Sequence, residues 1–231
     1  MDNRYGSAFT TPPVVLNLLI LNILFFMAEA LLPNGMGERI IDTLGLYAFQ
    51  SDNFCWYQLV THMFLHANLA HLFTNMFAFW MFGRSLEYDM GSRRFLVYYM
   101  MTGLGAALLH LGVISLEIHN IMASARELGG LTPELGRELA MRLNTVTIGA
   151  SGAVFGVLLA FGMLHSNVPI FIFFIPIPIK AKYFVIGYGL LELYMGFTGN
   201  QSGIAHFAHI GGMLFGFLLL VYWKKKRKIY Y

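Results

Sequence analysis

Residues 146–164 read VTIGASGAVFGVLLAFGML, an apolar run near the length a helix needs to cross roughly 30 Å of hydrocarbon, with Ser151 set between Ala150 and Gly152. A second apolar run carries His209, 58 residues further on. Neither side chain is cheap to place in such a run. A buried hydroxyl left without a partner costs about 1–3 kcal/mol, and a buried imidazole must find hydrogen bonds or stay neutral. Polar groups inside membrane helices are therefore candidates for chemistry.

Working outward from this stretch, the 231-residue chain is 57% hydrophobic and 12% charged. Hydropathy predicts six spans: Pro13 to Leu32, His66 to Gly83, Phe95 to Leu116, Val146 to Leu164, Lys182 to Phe197 and Gly203 to Trp223. Irregular backbone cannot face lipid and the runs exceed the length of barrel strands, so each span is expected to be an α-helix. The fold class that follows is all-α, a polytopic six-helix bundle forming one domain over residues 1–231, with a basic tail at 224–231.

With six spans both termini share a side. That side holds Arg4, Arg84, Arg93, Arg94, Lys180, Lys182 and the tail Lys224-Lys225-Lys226-Arg227-Lys228, eleven of the fifteen Lys and Arg. The other side keeps Arg39, Arg126, Arg137 and Arg142. The asymmetry places both termini in the cytoplasm, and the net charge of +3 marks topology rather than nucleic-acid binding. The first span lacks a basic region and small-residue cleavage site ahead of it and is expected to stay as a helix. With no transit peptide apparent, a bacterial cytoplasmic membrane is the expected location. The single cysteine, Cys55, excludes a disulfide framework or a thiolate metal site.

Between spans, residues 33–65 are too long for a simple turn and carry Phe54, Trp56 and Tyr57, suited to headgroup depth. Thr132-Pro133-Glu134 predicts the start of a short surface helix, with Leu135, Leu139 and Leu143 on one face. Phe173 to Lys180 alternates prolines and predicts an extended hairpin.

Ser151 near the outer end of span four, His209 about two turns into span six, and His71 with Asn75 in the outer half of span two fall at one depth. A neutral imidazole can take the proton of a serine hydroxyl as it attacks a carbonyl, and Ser151 with His209 supplies that pair. Asn75, His71 and the backbone N–H of Ser151 are the available oxyanion donors. No Asp or Glu is expected in register to orient the base, which predicts a dyad; Glu192 is expected to make a structural hydrogen bond within the bundle. Gly152 with Gly156, and Gly212 with Gly216, form two small-residue pairs that let helices four and six approach closely. His62, His66 and His71 sit at helical spacings, but the glutamate of a zinc-protease motif is absent, so no metal or other cofactor is expected. The first two histidines are expected to hold the outer loop by hydrogen bonds.

At these residues the chain resembles the rhomboid family of intramembrane serine proteases. Gly149-Ala150-Ser151-Gly152 looks like its nucleophile motif, Ala208-His209-Ile210-Gly211-Gly212 its base motif and His71-Leu72-Phe73-Thr74-Asn75 its oxyanion segment. Gly83-Arg84-Ser85-Leu86-Glu87 resembles a structural motif at the cytoplasmic end of span two. The resemblance implies a water-filled cavity open to the outside and cleavage of single-span transmembrane proteins entering laterally past spans two and five, at small residues in helices that unwind readily. In relatives the residue four after the serine is a tyrosine stacked on the base; here it is Phe155, which stacks without hydrogen bonding. The external loop departs as well, reading Trp56-Tyr57-Gln58 where relatives carry a Trp-Arg pair. Two other classes compete: a rhomboid-like membrane binding or quality-control protein without catalysis, and a small-solute transporter using Glu192 in a polar pathway.

Overall fold

Pro13 opens the first helix, where a missing N–H costs nothing because no intrahelical acceptor exists for it. The computed structural model describes residues 10–33, 35–171, 177–198 and 206–226. Helix α1 spans Pro13–Leu31, α2 Met36–Leu44 and α3 Gln58–Thr61, continued by a single 3₁₀ turn at His62–Phe64. Then come α4 Leu69–Met90, α5 Ser92–Glu127, α6 Pro133–Asn144, α7 Ser151–Leu164, α8 Ala181–Thr198 and α9 His206–Lys225. The only described strands are β1, Pro169–Ile170, and β2, Ile179–Lys180, paired antiparallel. They form the base of the hairpin expected from the prolines, whose residues 172–176 lie outside the described ones, as do 227–231 of the basic tail.

The protein is an all-α membrane protein. Among the described residues, α1, α5 and α9 are long and apolar enough to cross a membrane by length and composition, and α7 is a shorter apolar helix. The expected second and fifth spans are also helical, as α4 and α8, but His71 and Asn75 in one and Glu192 in the other lower their apolarity. Helix α5 runs past Leu116, where the expected third span ends. Helix α5 continues to Glu127 because Ile118, Ile121 and Ala125 keep a helical apolar stripe that packs beneath α6, and Glu117 of α5 pairs with Arg142 of α6 at 3.4 Å. Helix α6 starts where Thr132 predicts: its Oγ1 accepts from the backbone N–H of Leu135 at 3.3 Å.

The bundle centres on α5, α7 and α9, with α4 and α1 on one flank and α8 on the other. Its core includes Phe79, Phe95, Tyr98 and Tyr99. The two glycine pairs, expected to let spans four and six approach closely, do so in two different ways. Gly152 and Gly212 do pack backbone to backbone, so a Cβ at 212 would stand 2.7 Å from the Gly152 carbonyl carbon. Gly156 and Gly216 instead receive α5: Thr102 lies over Gly156, and both Tyr98 and Thr102 lie over Gly216. The Tyr98 hydroxyl donates to the Gly156 carbonyl at 2.8 Å, filling the space that both glycines leave. Three helices thus share one close contact.

Two devices fix the rest. The buried Glu87 of α4 reaches across to the start of α1, accepting from the N–H groups of Val14 at 2.9 Å and Val15 at 2.8 Å and from the Ser92 hydroxyl at 2.7 Å. A carboxylate satisfies the otherwise orphaned first donors of α1 and matches its dipole. In the long loop, the Gln58 side chain gathers the irregular backbone, accepting from Cys55 N–H and donating to the carbonyls of Thr43 and Asn53. Leu46 then pairs with Thr147 in an antiparallel bridge, joining this loop to the segment that leads into Ser151.

Candidate active site

Ser151 is the first residue of α7, and the backbone before it is held from two sides. Gly149 has φ 132, a conformation that favours glycine, and its N–H donates to the carbonyl of His62 at 2.9 Å. A side chain there would also run into the ring of His71, whose Cε1 and Nε2 stand 3.0 and 3.1 Å from the ideal Cβ position. His62 itself donates through Nδ1 to the Gln58 carbonyl at 2.7 Å and is buried. Burial lowers its pKa to about 4. The expected anchoring role of His62 is thus exercised partly by its backbone. His66 acts through its N–H, which donates to Glu29 at 3.4 Å, and through edge-on ring contact with His71, rather than by the imidazole hydrogen bonds expected of it.

His209 lies on α9 one turn before Gly212, so the close contact of that glycine with Gly152 brings the imidazole to the serine. Its Nε2 is 2.8 Å from Ser151 Oγ. The Phe155 ring lies flat against it, with centroids 4.1 Å apart and planes 6° from parallel. That contact fixes the ring plane without a hydrogen bond.

Asn68 caps α4 by accepting from the His71 N–H at 2.8 Å. His71 Nδ1 accepts from the backbone N–H of Ala67 at 3.3 Å, which assigns the proton of a neutral ring to Nε2, the nitrogen directed at Gly149. Asn75 lines the same cavity, but its amide donates to the His71 carbonyl at 2.9 Å, committing one of its two N–H bonds to its own helix. At the start of α7 the first N–H groups have no intrahelical acceptor and carry the positive end of the helix dipole.

The expectation that no acidic side chain reaches the base is wrong. Glu192 of α8, buried, accepts from His209 Nδ1 at 2.8 Å and from His206 Nδ1 at 2.7 Å, both on Oε2. The sequence held the signal. Counted from the outer end of span five, Glu192 sits about a turn and a half deep, close to the depth of about two turns at which His209 lies in span six, and His206 precedes His209 on the same helix face. These three ligand atoms lie within 4.8 Å of one another, a spacing open to a metal ion, and the two hydrogen bonds account for it as well.

A cavity of about 930 Å³ joins these groups, lined among others by Ser151, His209, His71, Asn75, His110 and Tyr188. Serine Oγ, imidazole and carboxylate stand in line, each within hydrogen-bond distance of the next. Fold and site define a helical membrane protein with a serine–imidazole array of the kind serine hydrolases use.

Comparison with known proteins narrows the class: residues 53–226 match the Rhomboid domain. The chain belongs to the rhomboid family. It is 29% identical over 174 residues to RHOMBOID-like protein 12, mitochondrial, of Arabidopsis thaliana, covering 74% of this chain and 46% of that protein. It is 26% identical over 225 residues to Rhomboid-like protein 11, chloroplastic, of the same plant, covering 88% and 62%. To Rhomboid protease AarA of Providencia stuartii it is 26% identical over 215 residues, covering 90% and 71%. The chain thus spans about half the length of the two plant relatives.

Proposed function

We propose that this chain is an intramembrane serine endopeptidase that cleaves single-span membrane proteins near the outer face of the membrane. The observation that carries the reading is the 2.8 Å approach of Ser151 Oγ to His209 Nε2, across two helices and inside a cavity. Helices α1, α4, α5, α7, α8 and α9 are the six spans of this reading. The clustering of Lys and Arg at the helix ends opposite Ser151 supports termini on the cytosolic side or its organellar equivalent. Two relatives of this chain bear mitochondrial and chloroplastic names and a third comes from Providencia stuartii.

In the reaction, the Ser151 proton passes to His209 Nε2 as Oγ bonds to the substrate carbonyl carbon. Nε2–H of His71, the remaining N–H of Asn75 and the N–H groups at the start of α7 receive the oxyanion, each such donor being worth about 3 kcal/mol where measured. The peptide C–N bond then breaks, its nitrogen taking the proton from His209, and water repeats the sequence to release the acyl group. A helical substrate must unwind locally, since its carbonyls are otherwise bonded within the helix. It enters between α4 and α8, and the lipid face of the bundle guides it.

The test is labelling by a fluorophosphonate probe, together with cleavage of a panel of single-span proteins in liposomes. Labelling is expected in the wild type, absent in Ser151→Ala and strongly reduced in His209→Ala. Folded wild-type protein that neither labels nor cleaves is a rhomboid-like binding protein, and the proposal fails.

A further inference from the structure

We infer that Glu192 and His206 form a positioning pair behind the base, so that the site works as a serine–histidine–glutamate array whose carboxylate is steadied by a second histidine. This rests on the Ser151–His209 reading above. A carboxylate inside an apolar bundle is costly unless donors meet it, and here two imidazoles converge on a single oxygen, Oε2, at 2.7 and 2.8 Å. A bond whose only task was to join α8 to α9 would be met by His206 alone. The second donor is the base itself.

The geometry has a chemical consequence. With Nδ1–H of His209 given to Glu192, the free lone pair lies on Nε2, the nitrogen facing Ser151. When Nε2 takes the serine proton, the imidazolium forms against the carboxylate rather than alone in a medium of low dielectric. His206 donates to the same oxygen from the other side, which holds the carboxylate in place and draws off part of its negative charge. Among the described residues, the other titratable or charged groups lining the same cavity are His62, His71 of α4, His110 and Glu117 of α5, Arg142 of α6 and Tyr188 of α8. Glu192 is the one carboxylate bonded to His209 among the described residues.

The two partners therefore act on the base in opposite directions. Glu192→Gln withdraws the charge that faces the imidazolium as it forms, whereas His206→Phe withdraws a competing donor from the carboxylate, so the two variants act on the acid limb of the pH profile in opposite senses. The experiment is a kcat and KM determination from pH 5 to 9 on the full chain in liposomes, with probe labelling and thermal stability measured alongside. Glu192→Gln is expected to lower kcat roughly 100-fold with KM within about twofold, and to move the acid limb of kcat/KM down by about one pH unit. His206→Phe is expected to lower kcat by about tenfold or less and to move the limb up by about half a unit. Glu192→Asp keeps the charge and is expected to leave the limb in place while losing rate through its shorter reach.

Limbs that stay fixed in Glu192→Gln and His206→Phe, whatever happens to rate or stability, overturn the inference and make the pair a structural tie. If Glu192→Gln does not fold, the upward shift in His206→Phe decides alone. Wild-type activity abolished by EDTA and restored by zinc also overturns it, in favour of a metal at Glu192, His206 and His209. A wild type that labels and cleaves while the limbs stay fixed sinks this inference and leaves the serine protease reading standing; a wild type that does neither removes both.

Discussion

Substituting Gly212→Ala acts on the contact that brings α7 and α9 together. The new Cβ would stand 2.7 Å from the Gly152 carbonyl carbon and nearer still to its oxygen, where ordinary contact begins at 3.4 Å. Both atoms belong to backbone, so no side chain can swing aside. To relieve the contact with the oxygen the helices must part by about 1.5 Å, and overpacking of this kind costs about 1–3 kcal/mol. His209 sits one turn from Gly212 on the same helix, so the displacement carries directly to Nε2. Moved along its line to Ser151, the present 2.8 Å becomes about 4.3 Å, beyond hydrogen-bond reach. A misplacement of that size costs about 100-fold in rate. The assay is the fluorophosphonate labelling rate of folded protein, read beside its melting temperature, with Gly187→Ala as a control because a Cβ there meets nothing within 4 Å. Gly212→Ala is expected to label about 100-fold more slowly and to melt earlier, while the control keeps the wild-type rate. Labelling within about twofold of wild type and an unchanged melting temperature would refute the claim that this glycine contact sets the distance between serine and base.

Phe155→Ala frees the imidazole plane and is expected to slow labelling about three- to tenfold, in line with about 0.5–1.5 kcal/mol for a ring stack, whereas Phe155→Tyr should stay within about twofold. Equal rates for all three proteins would show that stacking does not hold the base. Glu87→Ala strips the start of α1 of its acceptor in a buried setting and is expected to cost about 3 kcal/mol in a denaturant titration in detergent, with Glu87→Gln losing about half as much. An alanine variant indistinguishable from wild type would contradict the clamp. His62, its folded pKa lowered to about 4 from 6.5, binds fewer protons folded than unfolded. Its contribution is therefore complete above pH 6.5 and is lost as pH falls toward 4, the loss reaching about 2–3 kcal/mol at pH 4.5. His62→Gln should show correspondingly less acid sensitivity of melting temperature, and identical pH profiles would argue against the assignment.

Much of this was legible in the chain because membrane helices expose their logic. Where lipid demands continuous apolar helix, each polar residue inside one stands out, as Ser151, His209, His71 and Asn75 do, and the Thr132 cap marks α6 to the residue. What escaped depends on partners far away in sequence. Glu87 reads as one more charge near a helix end until Val14 and Val15 arrive, and Gln58 as a loop residue until Thr43 and Asn53 surround it. Glu192 was visible as a costly intramembrane carboxylate, yet its partners on α9 required comparing antiparallel helices from a common end. The 36-residue length of α5 was hidden because its outer turns are apolar on one side only, which a hydropathy window averages away.

Helix α7 has 14 residues, about 21 Å at 1.5 Å each, against roughly 30 Å of hydrocarbon. His165 at its far end bonds to Asp89 at 2.7 Å; under the proposed function that end meets the inner boundary and the shortfall falls on the side of Ser151. On that reading Ser151 lies about 9 Å below the lipid boundary, the depth of about six residues of a straight helix. A bond that far down in a guest helix comes into range only if its first turns come undone or the bilayer sags locally to meet it. Membrane thickness thereby becomes a selector of cutting position: thinner bilayers should move the scissors toward the guest's outer end, thicker ones inward.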